Sequence, residues 1–303
     1  MDGRFDLGGS SSAEAVATTP ARRLPIANAL LFLATLGTTT VAGSFFTGVD
    51  FAHDAGVLAR GLPYAAALLA ILLAHESGHY LMCRRHGVDA SLPYFLPAPP
   101  FVIFGTFGAF IRIRSRFPDR RALFDIGAAG PWAGFVVAVV VYVVGLRLST
   151  ISLITPTAPP GGFIIENGDS LLTAFLTRLV LGVDPSVVDI HPVAIAGWFG
   201  LFVTSLNLLP VGQLDGGHAL YAATGRRTQL VPALLIATVV WLGLRGWFGW
   251  LVWALLLSVV LSLGHPPTRD DRLPLGGIRQ LAAFATVVLF VVTFVPEPFR
   301  ILE

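Results

Sequence analysis

The sequence predicts an all-α polytopic membrane protein with about six to seven transmembrane helices and a re-entrant, β-hairpin-like loop. Of its 303 residues, 54% are hydrophobic and 13% are charged, whereas soluble domains contain about 25% charged residues. Several apolar runs reach the roughly 20 residues that a helix needs to cross a ~30 Å hydrocarbon core. One further apolar run is crowded with proline and glycine, and it predicts the loop.

Seven apolar runs are candidate spans, although the fifth and sixth are short and Arg245-Gly246 between them favours a helical hairpin. The polar first residues predict a disordered tail (1–24) before a single membrane domain (25–303). Segment 148–191 is rich in Pro, Gly and acidic residues, and we expect a surface loop without metal-ligand spacing. The spans lie near 25–47, 61–83, 122–147, 192–214, 229–244, 247–264 and 278–296, and the last three form the extra C-terminal helices, about 229–296.

All 20 basic residues are arginine, and their distribution predicts the orientation of the chain. With a cytoplasmic N-terminus, 15 arginines are cytoplasmic and 5 lie on the opposite side, as the positive-inside rule requires. The net charge of +2 is too small to indicate a nucleic-acid partner. The 15 are Arg4, Arg22, Arg23, Arg84, Arg85, Arg112, Arg114, Arg116, Arg120, Arg121, Arg226, Arg227, Arg269, Arg272 and Arg279, and the 5 are Arg60, Arg147, Arg178, Arg245 and Arg300.

Segment 92–114 is the proline- and glycine-rich apolar run, and it cannot form an uninterrupted spanning helix. Both of its flanks carry arginines on the predicted cytoplasmic side. We expect a loop that enters the membrane and returns, with strands at Phe101–Phe104 and Ala109–Arg114 around Gly105–Gly108. An interfacial loop that lies on the lipid headgroups is the alternative.

The second apolar run contains His75-Glu76-Ser77-Gly78-His79, an H-E-x-x-H motif. Two histidines four residues apart project from one face of a helix and can bind one Zn²⁺, while the glutamate between them can act as general base toward water. Polar side chains in a spanning helix are unfavourable unless they face a cavity or a partner. The motif therefore predicts a metal site, and buried hydrogen bonds that hold helices together are the alternative.

A catalytic zinc takes three protein ligands, so the two histidines leave one ligand to be found. Glu166 and Glu297 fall on the predicted outer side, whereas Asp215 closes the fourth span at the cytoplasmic end, at the depth of His79. Pro210 and the glycines that follow it allow the carboxylate to turn inward. We predict Asp215 as the third ligand of one zinc ion per chain.

Other polar residues near this motif have alternative interpretations. Asn207, two turns before Asp215, either stabilises an oxyanion and orients a substrate or makes a hydrogen bond between helices. His218 is more readily a cytoplasmic loop histidine than a spare ligand or a group that hydrogen-bonds to a ligand, and helix-dipole stabilisation explains Asp125. The small residues of Gly127–Gly134 predict tight helix packing, with substrate passage as the alternative. No role is predicted for His53, His86, His191 and His265.

Taken together, the segments His75–His79 and Asn207–Gly216 resemble the site-2 protease family of intramembrane metalloproteases. The second segment matches the pattern N-x-x-P-x-x-x-L-D-G of that family at every fixed position. Gly105–Ala109 and Gly127–Gly134 are also similar to the family's re-entrant loop and small-residue helix. The resemblance covers about residues 61–218, which corresponds to the family's catalytic three-helix core.

The resemblance implies zinc-dependent cleavage of a transmembrane segment of another membrane protein, with His75, His79 and Asp215 as zinc ligands and Glu76 as catalytic base. The expected partners are that substrate and the lipid bilayer. The expected location is a prokaryotic inner membrane, with the active site toward the cytoplasmic side. The alternatives are a transporter or metal-ion carrier with a His/Asp transit site, and a prenyl-protein-processing metalloprotease with a downstream glutamate ligand.

Overall fold

The computed structural model describes residues 25–47, 56–99, 102–152, 164–225, 230–264 and 268–302, so the predicted disordered tail lies outside it. Its helices are α1 (Ile26–Phe45), α2 (Val57–Arg85), α3 (Arg120–Leu148), α4 (Leu171–Leu181), α5 (Pro192–Asn207), α6 (Asp215–Thr224), α7 (Leu230–Arg245), α8 (Gly249–Leu263) and α9 (Gly277–Thr293). Its strands are β1 (Tyr94–Pro97), β2 (Thr106–Phe110), β3 (Thr150–Ile151), β4 (Ile164–Asn167), β5 (Val188–Asp189) and β6 (Phe299–Leu302).

Among the described helices, three, α1, α2 and α3, are long and apolar enough to cross a membrane, with 20, 29 and 29 residues. Helices α4, α5, α7, α8 and α9 are apolar but shorter. Val136, Val140 and Val144 form an exposed row at helical spacing on α3, as expected for a face in contact with lipid. The protein is therefore mostly helical and belongs in a membrane, as the composition predicts.

Helix α3 lies between α2 and α5, and small residues allow the close approach on both sides. A Cβ atom at Gly78 of α2 would overlap the backbone of Ala129, and a Cβ at Gly197 of α5 would overlap Tyr142. The largest buried side chains around this contact include Tyr64, Tyr142 and Trp198. The three helices thus form the centre of the fold, and close backbone packing of this kind is the main source of association between helices in lipid.

The predicted loop at 92–114 forms a two-stranded antiparallel hairpin, but its strands are not where the sequence predicts them. Strand β1 is Tyr94–Pro97 rather than the predicted Phe101–Phe104, and β2 begins at Thr106 rather than at Ala109. Phe101 itself lies outside the described residues. The chain turns between Ala98 and Gly105, whose φ of +72° ends the turn and starts β2. Phe104 belongs to neither strand. It lies at the tip of the hairpin, where its ring stacks on that of Phe199 in α5.

The fourth predicted span, 192–214, is wrong in its C-terminal part because α5 ends at Asn207. Pro210 has no N–H to continue the helical ladder and disfavours helical backbone in the residue before it. Gly212 then adopts a φ of +54°, and a new helix, α6, begins at Asp215. Asp215 is therefore not the end of a span but the first residue of a separate helix.

The predicted surface loop 148–191 contains a helix that the sequence analysis did not anticipate. Helix α4 starts with a capping box between Ser170 and Thr173 and ends at Gly182 in the left-handed conformation. Its buried side chains face α3, where Thr177 hydrogen-bonds to the Tyr142 hydroxyl at 2.9 Å. Strands β3 and β5 pair with each other, and β4 pairs with β6 near the C-terminal end.

We predict that the crossing of α1 and α2 depends on Gly61. A Cβ at this position would overlap the carbonyl oxygen of Thr40, whereas a Cβ at Gly37 of α1 would meet no atom within 4 Å. Gly61→Ala should lower the free energy of unfolding by about 1–3 kcal/mol, because the two helices must move apart. Thermal unfolding in detergent measures the change. Gly37→Ala is the matched control and should be at least as stable as the wild type, so equal loss in both variants would contradict this account.

Candidate metal centre

The histidine–glutamate turn of α2 is buried inside the helical centre. His75, Glu76 and His79 are 6%, 6% and 7% exposed, in a helix that is otherwise apolar along most of its length. Helical spacing places the two histidines on one face, as predicted. That face is turned toward α3.

The small-residue segment of α3 makes room for the two imidazole rings. A Cβ at Gly130 would overlap the ring of His79, and a Cβ at Gly134 would lie 3.1 Å from Nδ1 of His75. The segment therefore packs closely against α2, as predicted. Its glycines at 130 and 134 accommodate side chains of the candidate site, which the sequence analysis did not specify.

Asp215 reaches the histidines from the first turn of α6. Gly216 and Gly217 permit this position, because a Cβ on either would overlap backbone carbonyl groups of the preceding turn, those of Leu208 and Gly212 respectively. The N-terminal end of a helix also carries a partial positive charge that stabilises a carboxylate there. The side chain of Asp215 is 15% exposed.

The three candidate ligand atoms form a nearly equilateral triangle. The Nε2 atoms of His75 and His79 are 3.1 Å apart, and Oδ2 of Asp215 lies 3.3 Å from the first and 3.4 Å from the second. Ligand atoms at ~2.0–2.1 Å from a tetrahedral Zn²⁺ lie about 3.3 Å from one another. The donor set and its spacing therefore fit zinc with a fourth position left for another ligand.

The ring of His79 is oriented by a backbone group of α3. Its Nδ1 atom lies 2.7 Å from the carbonyl oxygen of Ile126. Because a carbonyl can only accept, Nδ1 carries the proton and Nε2 presents its lone pair to the centre of the triangle. This contact is the typical second partner of a histidine that binds a metal, and no sequence pattern predicts it.

Glu76 and Asn207 lie beside the triangle and, together with His75, line a cavity of about 90 Å³. Side chains of α2 and α5 form most of its wall, and β2 closes one side with Phe107, Gly108 and Ala109. The amide Nδ2 of Asn207 lies 3.4 Å from Nε2 of His75. The structure thus brings all five predicted site residues together, and Asn207 contacts a candidate ligand directly.

Two other predictions need correction. His218 is not in a loop but in α6, with its ring centroid 5.6 Å from that of Phe117, and it is outside the ligand group found among the described residues. Asp125 does not act through the helix dipole alone, because it hydrogen-bonds to Arg279 and to His86. No role was predicted for His86, and the contact joins residues too far apart in sequence for a local pattern to show it.

Comparison with known proteins agrees with this geometry. The model of peptidase family M50 matches residues 63–242, which include every residue of the triangle and more than half of the chain. The chain belongs to this family, the site-2 protease family. The resemblance read from the two motifs is therefore confirmed.

Several plant proteins are similar to this chain. It is 37% identical over 240 residues to the probable zinc metalloprotease EGY1, chloroplastic, of Arabidopsis thaliana, covering 78% of this chain and 43% of that protein. It is 36% identical over 244 residues to the rice protein of the same name, covering 78% and 40%, and 30% identical over 198 residues to EGY2 of Arabidopsis thaliana, covering 63% and 34%. The chain spans less than half the length of these relatives. Their names place them in the chloroplast, so they do not support the expected prokaryotic membrane.

We predict that Gly130 is required for metal binding. In Gly130→Ala the new methyl group occupies the place of the His79 ring, so the ring must leave the triangle, and the zinc dissociation constant should rise by about 100-fold or more. Gly134→Ala is the graded comparison, because its methyl group would be tight against His75 without overlap. Zinc affinity measured by competition with a chelator checks the order. Wild-type affinity in Gly130→Ala would contradict the geometry.

Proposed function

We propose that this protein is an intramembrane zinc metalloprotease that hydrolyses a peptide bond in or near a transmembrane segment of another membrane protein. The observation that carries the proposal is the triangle of His75, His79 and Asp215 with Glu76 beside it, formed where α6 meets the buried histidine face of α2. Three ligands and an adjacent carboxylate are the arrangement of a hydrolytic zinc site, whereas a structural zinc site is closed by four protein ligands. The names of the plant relatives support zinc, and the proposal assigns one ion to each chain.

The contacts of the hairpin with α1 support a re-entrant loop, because they show that the hairpin extends along this helix. Its base meets the start of α1, where Asn28 donates hydrogen bonds to the carbonyls of Leu92 and Pro93. Its tip meets the middle of α1, where Gly105 packs against Thr38 and Thr39. The eleven residue-to-residue steps from Asn28 to Thr39 correspond to about 16 Å of helix, roughly half of a hydrocarbon core. Backbone at that depth is tolerated where it is buried in protein or borders a wet cavity.

Contacts between distant segments support seven crossings. The segments that follow α3 and α9 pair through β4 and β6, so both lie on one side. The segments that precede these two helices also meet, since the N–H groups of Arg269 and Asp270 donate to the carbonyls of Phe117 and Pro118. Helices α3 and α9 therefore run in the same direction, as seven crossings require. With the arginine bias, this arrangement supports a site toward the cytoplasmic side.

Each polar side chain has a role in the proposed hydrolysis. A bound Zn²⁺ would acidify a water molecule and polarise the scissile carbonyl. Glu76, which lines the cavity, accepts the proton of the attacking water and donates it to the leaving amine. With a metal in place the Nε2 lone pair of His75 is occupied, so the Asn207 amide loses that acceptor and can donate to the substrate oxygen as charge develops.

Strand β2 offers an edge to which an unwound substrate can pair. Backbone groups of Arg112 and Arg114 point toward segment 89–91, because Ser91 N–H donates to the Arg112 carbonyl and Arg114 N–H donates to the Asp89 carbonyl. Successive residues of a strand direct these groups to opposite edges, so those of Ala109 and Ile111 point to the other edge. There the Ile111 N–H faces the Glu76 carboxylate. A peptide added to this edge lies next to the candidate metal centre.

The decisive experiment compares purified wild-type and Glu76→Gln protein on a panel of single-span substrates, with bound zinc measured in both. We expect the wild type to bind zinc and cleave at least one substrate. Glu76→Gln should retain zinc and lose at least about 100-fold in rate, the usual contribution of a general base. The glutamine has nearly the same size as the glutamate, so the difference reports proton transfer.

A wild-type protein that binds zinc but cleaves nothing would overturn the proposal and favour a transporter or metal-ion carrier. Transport in which His75, His79 and Asp215 form a transit site should survive Glu76→Gln. The prenyl-protease alternative requires a downstream glutamate near the histidines. Glu166 lies in β4 and Glu297 hydrogen-bonds to Arg300 at the paired strand β6, both remote from the site.

The edge-strand proposal predicts that Ala109→Pro impairs cleavage without loss of zinc. Proline removes the N–H that Ala109 directs to the substrate edge, and one lost hydrogen bond should lower kcat/KM by about three- to tenfold. Ala109→Val retains the N–H and is the matched control. Initial rates on one substrate, with zinc content measured in parallel, provide the test, and equal rates in both variants would count against strand addition.

A further inference from the structure

Three side chains meet where α2 ends and where α3 and α9 begin. Asp125 accepts two hydrogen bonds from Arg279, Nε to Oδ1 at 2.8 Å and Nη2 to Oδ2 at 2.8 Å. Nε2 of His86 lies 3.0 Å from Oδ2 of the same carboxylate. A bidentate arginine–carboxylate pair is directional and restricts both partners. This group, the Asp125 clamp, therefore holds three helices in a fixed relation.

The clamp is adjacent to the contact that orients His79. Asp125 directly precedes Ile126, whose carbonyl accepts the hydrogen bond from Nδ1 of His79. His86 directly follows the last residue of α2 and lies seven residues after His79, about two helical turns, so the two side chains lie on the same side of that helix. Side chains of a helix lean toward its N-terminus, so Asp125 of the antiparallel α3 leans toward His86.

Ordinary structural roles account poorly for the clamp. The start of α3 is already capped by Asp119, which accepts a hydrogen bond from Ala122 N–H. The helix dipole acts most strongly in the first turn of a helix, and Asp125 lies beyond that turn. Helices α3 and α9 also have a second side-chain hydrogen bond, from Trp132 Nε1 to Thr286 Oγ1 at 3.0 Å. The clamp is therefore not needed to cap α3, and it is not the sole polar link to α9.

The backbone that presents the Ile126 carbonyl has a weakened helical ladder beside it. Pro131 lies inside α3 and has no N–H to donate to the carbonyl of Gly127. Gly130 has no side chain that could restrict the backbone, and the ring of His79 occupies the space where a Cβ atom would lie. A local constraint on this turn consequently affects where the Ile126 carbonyl lies, and with it the ring of His79.

We propose that Asp125, held by Arg279 and His86, is a positioning residue for the metal centre. It fixes the Ile126 carbonyl, which in turn holds the tautomer and the ring orientation of His79 and keeps Nε2 in the triangle. This inference rests on the proposed function, because it takes His79 as a zinc ligand. Loss of an outer partner of a histidine ligand usually weakens metal binding by about 10- to 100-fold.

The test measures zinc affinity and the visible spectrum of the Co²⁺-substituted protein, as the whole 303-residue chain, in detergent. Asp125→Asn, which keeps the size of the side chain, should raise the zinc dissociation constant by about tenfold or more and change the Co²⁺ bands, which report ligand geometry. Arg279→Lys keeps the charge but not the bidentate geometry and should show a smaller change in the same direction. Thr286→Val, which removes the other α3–α9 hydrogen bond, is the matched control.

We expect Thr286→Val to lower thermal stability while its zinc affinity and Co²⁺ spectrum remain those of the wild type. Wild-type zinc binding in both Asp125→Asn and Arg279→Lys would overturn the proposal and leave the clamp as packing alone. If Asp125→Asn does not fold, the milder Arg279→Lys decides by the same criterion. Failure of the wild type to bind zinc would instead overturn the proposed function, so the two failures are distinguishable.

Discussion

The closeness of α3 to the histidine face of α2 is the constraint on which the candidate site depends. Two imidazole rings need space between helices that otherwise pack backbone to backbone, and α3 provides it by having glycine at 130 and 134. The same approach brings the Ile126 carbonyl within hydrogen-bond distance of His79. Lipid supplies no hydrophobic force between helices, so such contacts must come from close packing and from polar groups. The same close contact between α2 and α3 therefore determines both the placement of the histidine ligands and the packing of the helices.

The sequence predicted the parts of the site that depend on local spacing. The four-residue period between His75 and His79 requires only a helix, and the depth of Asp215 follows from hydropathy. The predicted path of the chain to Asp215 was wrong, because the prediction continued the fourth span past Pro210, which cannot continue the hydrogen-bond ladder of a helix. The strands of the hairpin were misplaced because Phe104 was assigned to a strand. It is a turn residue that packs on Phe199, and the alternating pattern of a strand does not distinguish the two cases.

Contacts between residues remote in sequence were invisible to this kind of prediction. Arg279 and Asp125 are 154 residues apart, and each has an ordinary local explanation, Arg279 as a cytoplasmic arginine and Asp125 as a carboxylate near a helix N-terminus. Helix α4 was missed for a different reason, since its segment is surrounded by polar and proline-rich residues that favour a loop. Its capping box and left-handed Gly182 are local signals and could have indicated its two ends.

The pairing of β4 with β6 affects how the molecule can move. Helix α9 is attached near one end by the bidentate contact of Arg279, and the chain beyond its other end is attached through the strand pair at Phe299–Leu302. A helix held near both ends cannot tilt away from the bundle without breaking one of these attachments. Movement of α9 away from the bundle toward the lipid thus requires more free energy than movement of a helix that is attached at one end. We therefore expect α9 to keep its position when the molecule opens.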